Sequence, residues 1–202
     1  MKLHETKTTP NSRRVRVFLA EKGIEVETVE VDITSMENRS DGFLAKNPMG
    51  KVPVLELDDG TFVSESAAIC RYFEELQPSP PLFGTSAQER AEVEMWHRRM
   101  ELDLAVPIMH VFQNTHPFFA ERIEQLGDYA ERCRKTAAES MLWLDGVLAD
   151  RPFIAGDEYT VADIVALIGI DFGRVSGIKI DDPLTHLKRW HDEVSARPSA
   201  KA

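Results

Sequence analysis

The stretch at residues 47–76, NPMGKVPVLELDDGTFVSESAAICRYFEEL, reads as a turn, two short strands and the start of a helix. Asn47, Pro48 and Gly50 are turn residues. Val52, Val54, Leu55 and Leu57 form a short apolar run headed by Pro53. A proline there suits an edge strand or a bulge better than a mid-sheet position. Asp58-Asp59-Gly60 is a hairpin signal, with Thr61-Phe62-Val63 as the return strand. Ser64, Glu65 and Ser66 then supply helix-start chemistry. Ile69, Tyr72, Phe73 and Leu76 follow at i, i+3, i+4 and i+7, one apolar helical face.

Working outward, strands and helices alternate on the N-terminal side. Residues 2–5 are a short candidate strand, and Thr8-Thr9-Pro10-Asn11-Ser12 is a turn ending in helix caps. The helix that follows places Val15, Phe18 and Leu19 inward and Arg13, Arg14 and Arg16 mostly outward, with Gly23 as its stop. Residues 26–31 alternate roughly as a strand, and residues 37–46 read as one short polar helix. The order is β-α-β-α-β-β-α, that of a thioredoxin-like α/β domain over residues 1–77.

On the other side, Gln77-Pro78-Ser79-Pro80-Pro81 excludes helix and strand, giving a linker over residues 78–86. Beyond it, residues 87–202 read as an all-α domain. A helix spans residues 87–114, with Pro107 as a kink. Another covers residues 118–149 and ends before Arg151-Pro152. Thr160-Val161-Ala162-Asp163 starts an apolar helix that ends near Gly173, in the pattern of a capping box. The last helix begins near Pro183 and buries Leu184, Leu187, Trp190 and Val194. Thr160 and Asp163 read as structural.

The chain has 202 residues, 43% hydrophobic and 29% charged, ordinary for a globular protein with a sizeable core. Its net charge of −10 argues against duplex nucleic acid and anionic membranes as partners. No secretory signal is visible, and the longest apolar run is too short to span a bilayer. Two cysteines, Cys70 and Cys133, both in helical patterns, fit a reducing compartment, with the cytoplasm as default. The six histidines show no paired metal-ligand spacing, so no metal is expected.

The ligand chemistry of the opening stretch is specific. A helix N-terminus at Ser66 favours a carboxylate, Glu65 an amine, and Lys51 a second carboxylate. The backbone at Val52, ahead of Pro53, can pair with an extended peptide. A short peptide carrying an amine and a carboxylate on one carbon and a distal carboxylate matches all of these. Glutathione is such a ligand.

NPMGKVPVLELDDGTFVSESAAICRYFE resembles the glutathione-binding segment of the glutathione S-transferase family, and RPFIAGDEYTVADIVAL resembles that family's C-terminal signature. The resemblance covers nearly the whole chain. It implies that Pro53 is cis, that Val52 pairs with the cysteinyl backbone, and that Glu65 and Ser66 hold the γ-glutamyl end. It also implies a homodimer and an aspartate at 163 that caps a buried helix. The activity implied is conjugation of the glutathione thiolate to small hydrophobic electrophiles, a detoxifying reaction.

A free thiol is only a few per cent thiolate at neutral pH, so the protein must favour the anion. In the family a hydroxyl at the first strand-to-helix turn does this. Here that turn holds neither tyrosine nor cysteine, which argues against the tyrosine-using classes and against a mixed-disulfide oxidoreductase. Thr9, Asn11 and Ser12 remain as donors near the sulfur, each equally able to act as turn former or helix cap. TTPNSRRVRVFLAEKG and EMWHRRMELDLAVPI look most like an atypical fungal and bacterial subgroup. In that subgroup polar side chains of the helical domain hold an activating water, for which His110, Asn114 and His116 are candidates, His116 as a base. Phe112, Phe118, Phe119 and Phe172 are candidates to line the electrophile pocket. Two rival functions stand beside the transferase: a non-catalytic binding or regulatory protein of the same fold, and a glutathione-dependent isomerase or peroxidase.

Overall fold

A short strand is stable only when paired, and the four short strands here pair in one mixed sheet. In the computed structural model, which describes residues 1–202, β1 (Lys2–Glu5), β2 (Glu27–Glu30), β3 (Val54–Glu56) and β4 (Phe62–Ser64) lie in the order β2-β1-β3-β4. β1 runs parallel to β2 and antiparallel to β3, which is antiparallel to β4. β3 is therefore an interior strand, not the edge that Pro53 suggested. Pro53 precedes the strand's first residue, so its missing N–H removes no ladder bond.

Side chains alternate across the sheet. Leu3 and Leu55 are paired in register and fully buried. Val54, on the opposite face, joins Val31 and Phe43 in a small core with Val52 and Phe62 packed against it. α1 (Pro10–Lys22) and α3 (Ser66–Leu76) pack together and contribute Val15, Val17, Phe18, Ile69 and Phe73, each buried to within 1%. Full burial of one such side chain is worth roughly 1.5–3 kcal/mol. Leu76, expected on the inner face of α3, is instead 56% exposed, and Cys70 takes an inward place.

α1 ends in a Schellman motif. Gly23 has φ of +64°, its N–H meets Ala20 O (3.2 Å), and Ile24 N–H meets Leu19 O (2.9 Å). Arg14, expected outward, is buried. A helix with another helix beside it and a sheet beneath it hides more than one stripe. The polar stretch at 37–46 is two pieces, a 3₁₀ turn at Glu37–Arg39 and α2 (Asp41–Leu44), split where Ser40 caps the second. These elements form one compact unit, Met1–Pro81 with Lys201–Ala202.

The second unit, Leu82–Ala200, is helical. It comprises α4 (Ala87–Arg99), α5 (Val106–Thr115), α6 (Gly127–Val147), α7 (Val161–Gly173) and α8 (Thr185–Ser195). α4 and α5 are joined through a π-helical stretch, Met100–Ala105, in place of a simple kink at Pro107. Pro107 offers no N–H to the Asp103 carbonyl four residues back, and the Ser140 hydroxyl donates to that carbonyl at 2.6 Å. α6 begins at Gly127, later than the pattern predicted, because Pro117–Phe119 forms a separate 3₁₀ turn.

α7 is apolar all round and buried accordingly, touching α4, α5 and α8. Its start is a complete capping box between Thr160 and Asp163. Asp163 is fully buried and accepts from Ile154 N (3.0 Å), Thr160 N (2.9 Å), Thr160 Oγ1 (3.2 Å) and Trp190 Nε1 (2.8 Å). Burial pushes its carboxyl above the ordinary value against the pull of those four bonds. No helix is long and apolar enough to cross a membrane.

Candidate glutathione site

Asn11, Asn47, Lys51, Val52, Pro53, Glu65 and Ser66 line one small, open cleft. Three local devices bring them together. The first is the loop before β3, closed by Asn47, whose amide Nδ2 donates to Lys51 O (2.8 Å) while its Oδ1 accepts from Met49 N (3.1 Å). Gly50 has φ of +61°, and a Cβ there would lie 2.8 Å from Arg39 Nη1 and 2.9 Å from Asn38 O. The Asn38 amide donates to Gly50 O at 2.7 Å, which brings the loop that close.

The second device is the Val52–Pro53 peptide bond, which is cis, as the resemblance implied. The third is Glu65, at φ of +68° and ψ of 116°, a conformation that L residues rarely hold. Glu65 is exposed, and its side chain does not cap α3. The first N–H groups of a helix lack partners within it and carry partial positive charge. The cleft thus offers a carboxylate, an ammonium, a hydroxyl, two amides and a helix N-terminus. That set suits a zwitterionic peptide.

The three first-turn candidates are placed differently. Asn11 is half-buried and lines the cleft. Thr9 precedes α1 without capping it; its hydroxyl bonds Thr6 O (2.9 Å) and Ser12 Oγ (2.8 Å). Ser12 is fully buried, and its hydroxyl accepts from that of Thr9. Cys70 is also fully buried, and burial pushes its thiol up to about 12, leaving it protonated at neutral pH.

Two family models match the chain, the glutathione S-transferase N-terminal domain over residues 8–76 and the glutathione S-transferase C-terminal domain over residues 107–198. Glutathione S-transferase 2 of Saccharomyces cerevisiae is 35% identical over 205 residues, covering 100% of this chain and 88% of that one. The chain belongs to the glutathione S-transferase family.

Solved structures agree. A glutathione S-transferase domain-containing protein of Marinobacter aquaeolei is 39% identical, with a TM-score of 0.95 over 98% of this chain and 99% of that one. Gtt2 of Saccharomyces cerevisiae is 34% identical, with a TM-score of 0.94 over 100% and 99%. These likenesses join this transferase-family chain to the fungal and bacterial subgroup.

The helical unit holds the remaining candidates of this glutathione S-transferase family member. His116 ends α5; its Nδ1 accepts from Phe118 N (3.2 Å), and its ring lies 4.6 Å from that of Phe112. A neutral imidazole has one acceptor nitrogen, and here that lone pair is spent on the backbone. His110 Nδ1 meets the Tyr129 hydroxyl at 2.9 Å. Asn114 ties α5 to the start of α6, accepting from Leu126 N (2.9 Å) and donating to His110 O (2.9 Å). Phe112 gathers Phe119 (5.4 Å) and Phe172 (4.9 Å) edge-on, and Phe118 packs on Phe119 (5.1 Å). Sequence reasoning missed Asn47 as a lining residue. Its only signal was a turn propensity, whereas its role depends on both ends of the amide closing one loop.

Proposed function

We propose that this protein binds glutathione in the cleft and conjugates its thiolate to small hydrophobic electrophiles. The carrying observation is the convergence of Lys51, Val52, Pro53, Glu65 and Ser66 on one cleft with Asn11, next to a Glu65 held at positive φ. Backbone strain of this kind, on the order of 1–3 kcal/mol, persists where the surroundings enforce it and clusters at ligand clamps. Glu65 takes the amine of the γ-glutamyl end, Ser66 and the start of α3 take its carboxylate, Val52 pairs with the cysteinyl backbone, and Lys51 takes the glycyl carboxylate.

The thiol sulfur then lies toward the first turn, where Asn11, Thr9 and Ser12 stand. Of these, Asn11 is the residue that lines the cleft, so its amide is assigned to the sulfur. Hydrogen bonding to the anion lowers a thiol's pKa. The thiolate attacks the electrophilic carbon, a C–S bond forms, the leaving group departs with its electron pair, and the thiol proton goes to solvent.

The protein works as a cytoplasmic homodimer in this reading. Leu142 (64% exposed), Leu102 (50%), Trp143 (45%) and Met95 (40%) leave apolar surface on the helical unit, and Trp143 stacks on Trp96. Sedimentation at micromolar concentration checks the dimer, and a monomer there would remove it. The activity is tested by incubating the protein with glutathione and a chloronitroarene. Halide release matched by thioether formation is expected. Glutathione binding without turnover on a panel of electrophiles would favour the regulatory protein.

A further inference from the structure

Behind the cleft lies a buried cation that the proposed function does not use. Arg14, on α1, is only 5% exposed, and its Nη1 donates to Ser66 Oγ at 3.0 Å. Ser66 is the first residue of α3, is itself buried, and lines the cleft. We infer that Arg14 is a positioning residue of the glutathione site, holding the Ser66 hydroxyl so that its proton faces the ligand. This rests on reading the cleft as the glutathione site.

The reasoning is a count of protons and lone pairs. A serine hydroxyl has one proton to give and two lone pairs to offer. A guanidinium has donors only and stays charged at any working pH. Toward Arg14, therefore, Ser66 Oγ can only accept, and its own proton must point elsewhere. The cleft is the side that Ser66 lines. Ser66 becomes a fixed donor next to the N–H groups of the first turn of α3, and Glu65 beside it is a fixed acceptor. Such a pair sorts the two ends of an amino-acid head, carboxylate to Ser66 and amine to Glu65.

Arg14 also lies against the buried side of α3, where its charge acts on Cys70. Cys70 and Glu74 follow Ser66 at i+4 and i+8 on α3, both buried, and Glu74 is ion-paired with the buried Lys22. Burying a guanidinium is costly unless it is paired and hydrogen-bonded. An arginine serving the fold alone would affect any ligand of the cleft equally, whereas one acting through Ser66 affects only ligands that carry the γ-glutamyl carboxylate.

Isothermal titration calorimetry on the full chain separates these. The ligands are glutathione and its analogue with the γ-glutamyl carboxylate replaced by hydrogen. Arg14→Gln is expected to weaken glutathione by about tenfold or more, the scale of one charge-assisted contact, and the analogue by less than about twofold. Arg14→Lys, which keeps the charge without the fork, is expected to fall between wild type and Arg14→Gln. In a Ser66→Ala background neither change at Arg14 should weaken glutathione further, because the effect passes through that hydroxyl. If Arg14→Gln does not fold, the same cycle with Arg14→Lys reads the same coupling. Equal weakening of both ligands, or additive losses in the double variant, would overturn the assignment. Failure of the wild type to bind glutathione appears before any variant is made, and it removes the cleft reading together with this one.

Discussion

Two helix starts in this chain are built in opposite ways. At α7, Thr160 and Asp163 cap each other, and Asp163 also takes the Ile154 N–H and the Trp190 indole. Every partner is supplied by the chain, and the whole is buried. At α3 the residue before the helix caps nothing, is exposed, and sits at φ of +68°. The same orphan donors exist at both ends. Where the chain satisfies them itself, the helix start is scaffold. Where it leaves them without a side-chain cap, beside a cleft and a neighbour held in strain, the proposed function has a ligand take them.

The largest expected effect falls on the closed start. Asp163→Ala strands the N–H groups of Ile154 and Thr160 and the indole of Trp190, and should cost about 3 kcal/mol or more in urea unfolding. A loss under about 1 kcal/mol would break the comparison, since the capping box would then not be scaffold.

At the open start the signs should part. Glu65→Gly is expected to raise stability by about 1 kcal/mol by relieving the positive φ, while glutathione affinity drops about tenfold for want of the amine's partner. Glu65→Ala should show the same loss of affinity with no gain in stability. If Glu65→Gly lost stability, the conformation would belong to the fold and not to the ligand.

The smallest effect sharpens the contrast with a polar cluster that is neither closed nor open to a ligand. Glu56 accepts from His4 Nε2 (2.6 Å) and Lys46 Nζ (3.2 Å), bonds that hold its carboxyl below the ordinary value. The folded state then binds that proton less readily than the unfolded chain. The contribution is complete above the usual carboxylate range and is lost as pH falls through the lowered value. The stability gap between wild type and Glu56→Gln should therefore close on acidification, and a gap independent of pH would contradict this.

The polar half of the cleft was legible because Lys51, Val52, Pro53, Glu65 and Ser66 belong to one short stretch whose turn and helix-start chemistry is local. The interior place of β3 was not. Pro53 argues for an edge until its position just ahead of the strand is known, and that depends on where pairing with β1 begins. Arg14 was illegible for a related reason: helical spacing assigns one buried stripe, and α3 packing across α1 hides a second. Pro107 announced a break but not its form, because a π-helical stretch depends on what meets the freed carbonyl, here Ser140 from another helix. Leu76 shows the converse, an apolar residue in perfect phase at a helix end where no neighbour covers it.

The most direct measurement is the ultraviolet absorbance of the glutathione thiolate against pH, bound to wild type and to the Asn11→Ala, Thr9→Ala, Ser12→Ala and His116→Ala variants. Glutathione bound to wild type should titrate below the free-thiol value of about 8.5. Asn11→Ala should return it toward that value. No binding, or binding with an unshifted thiol, would contradict the account.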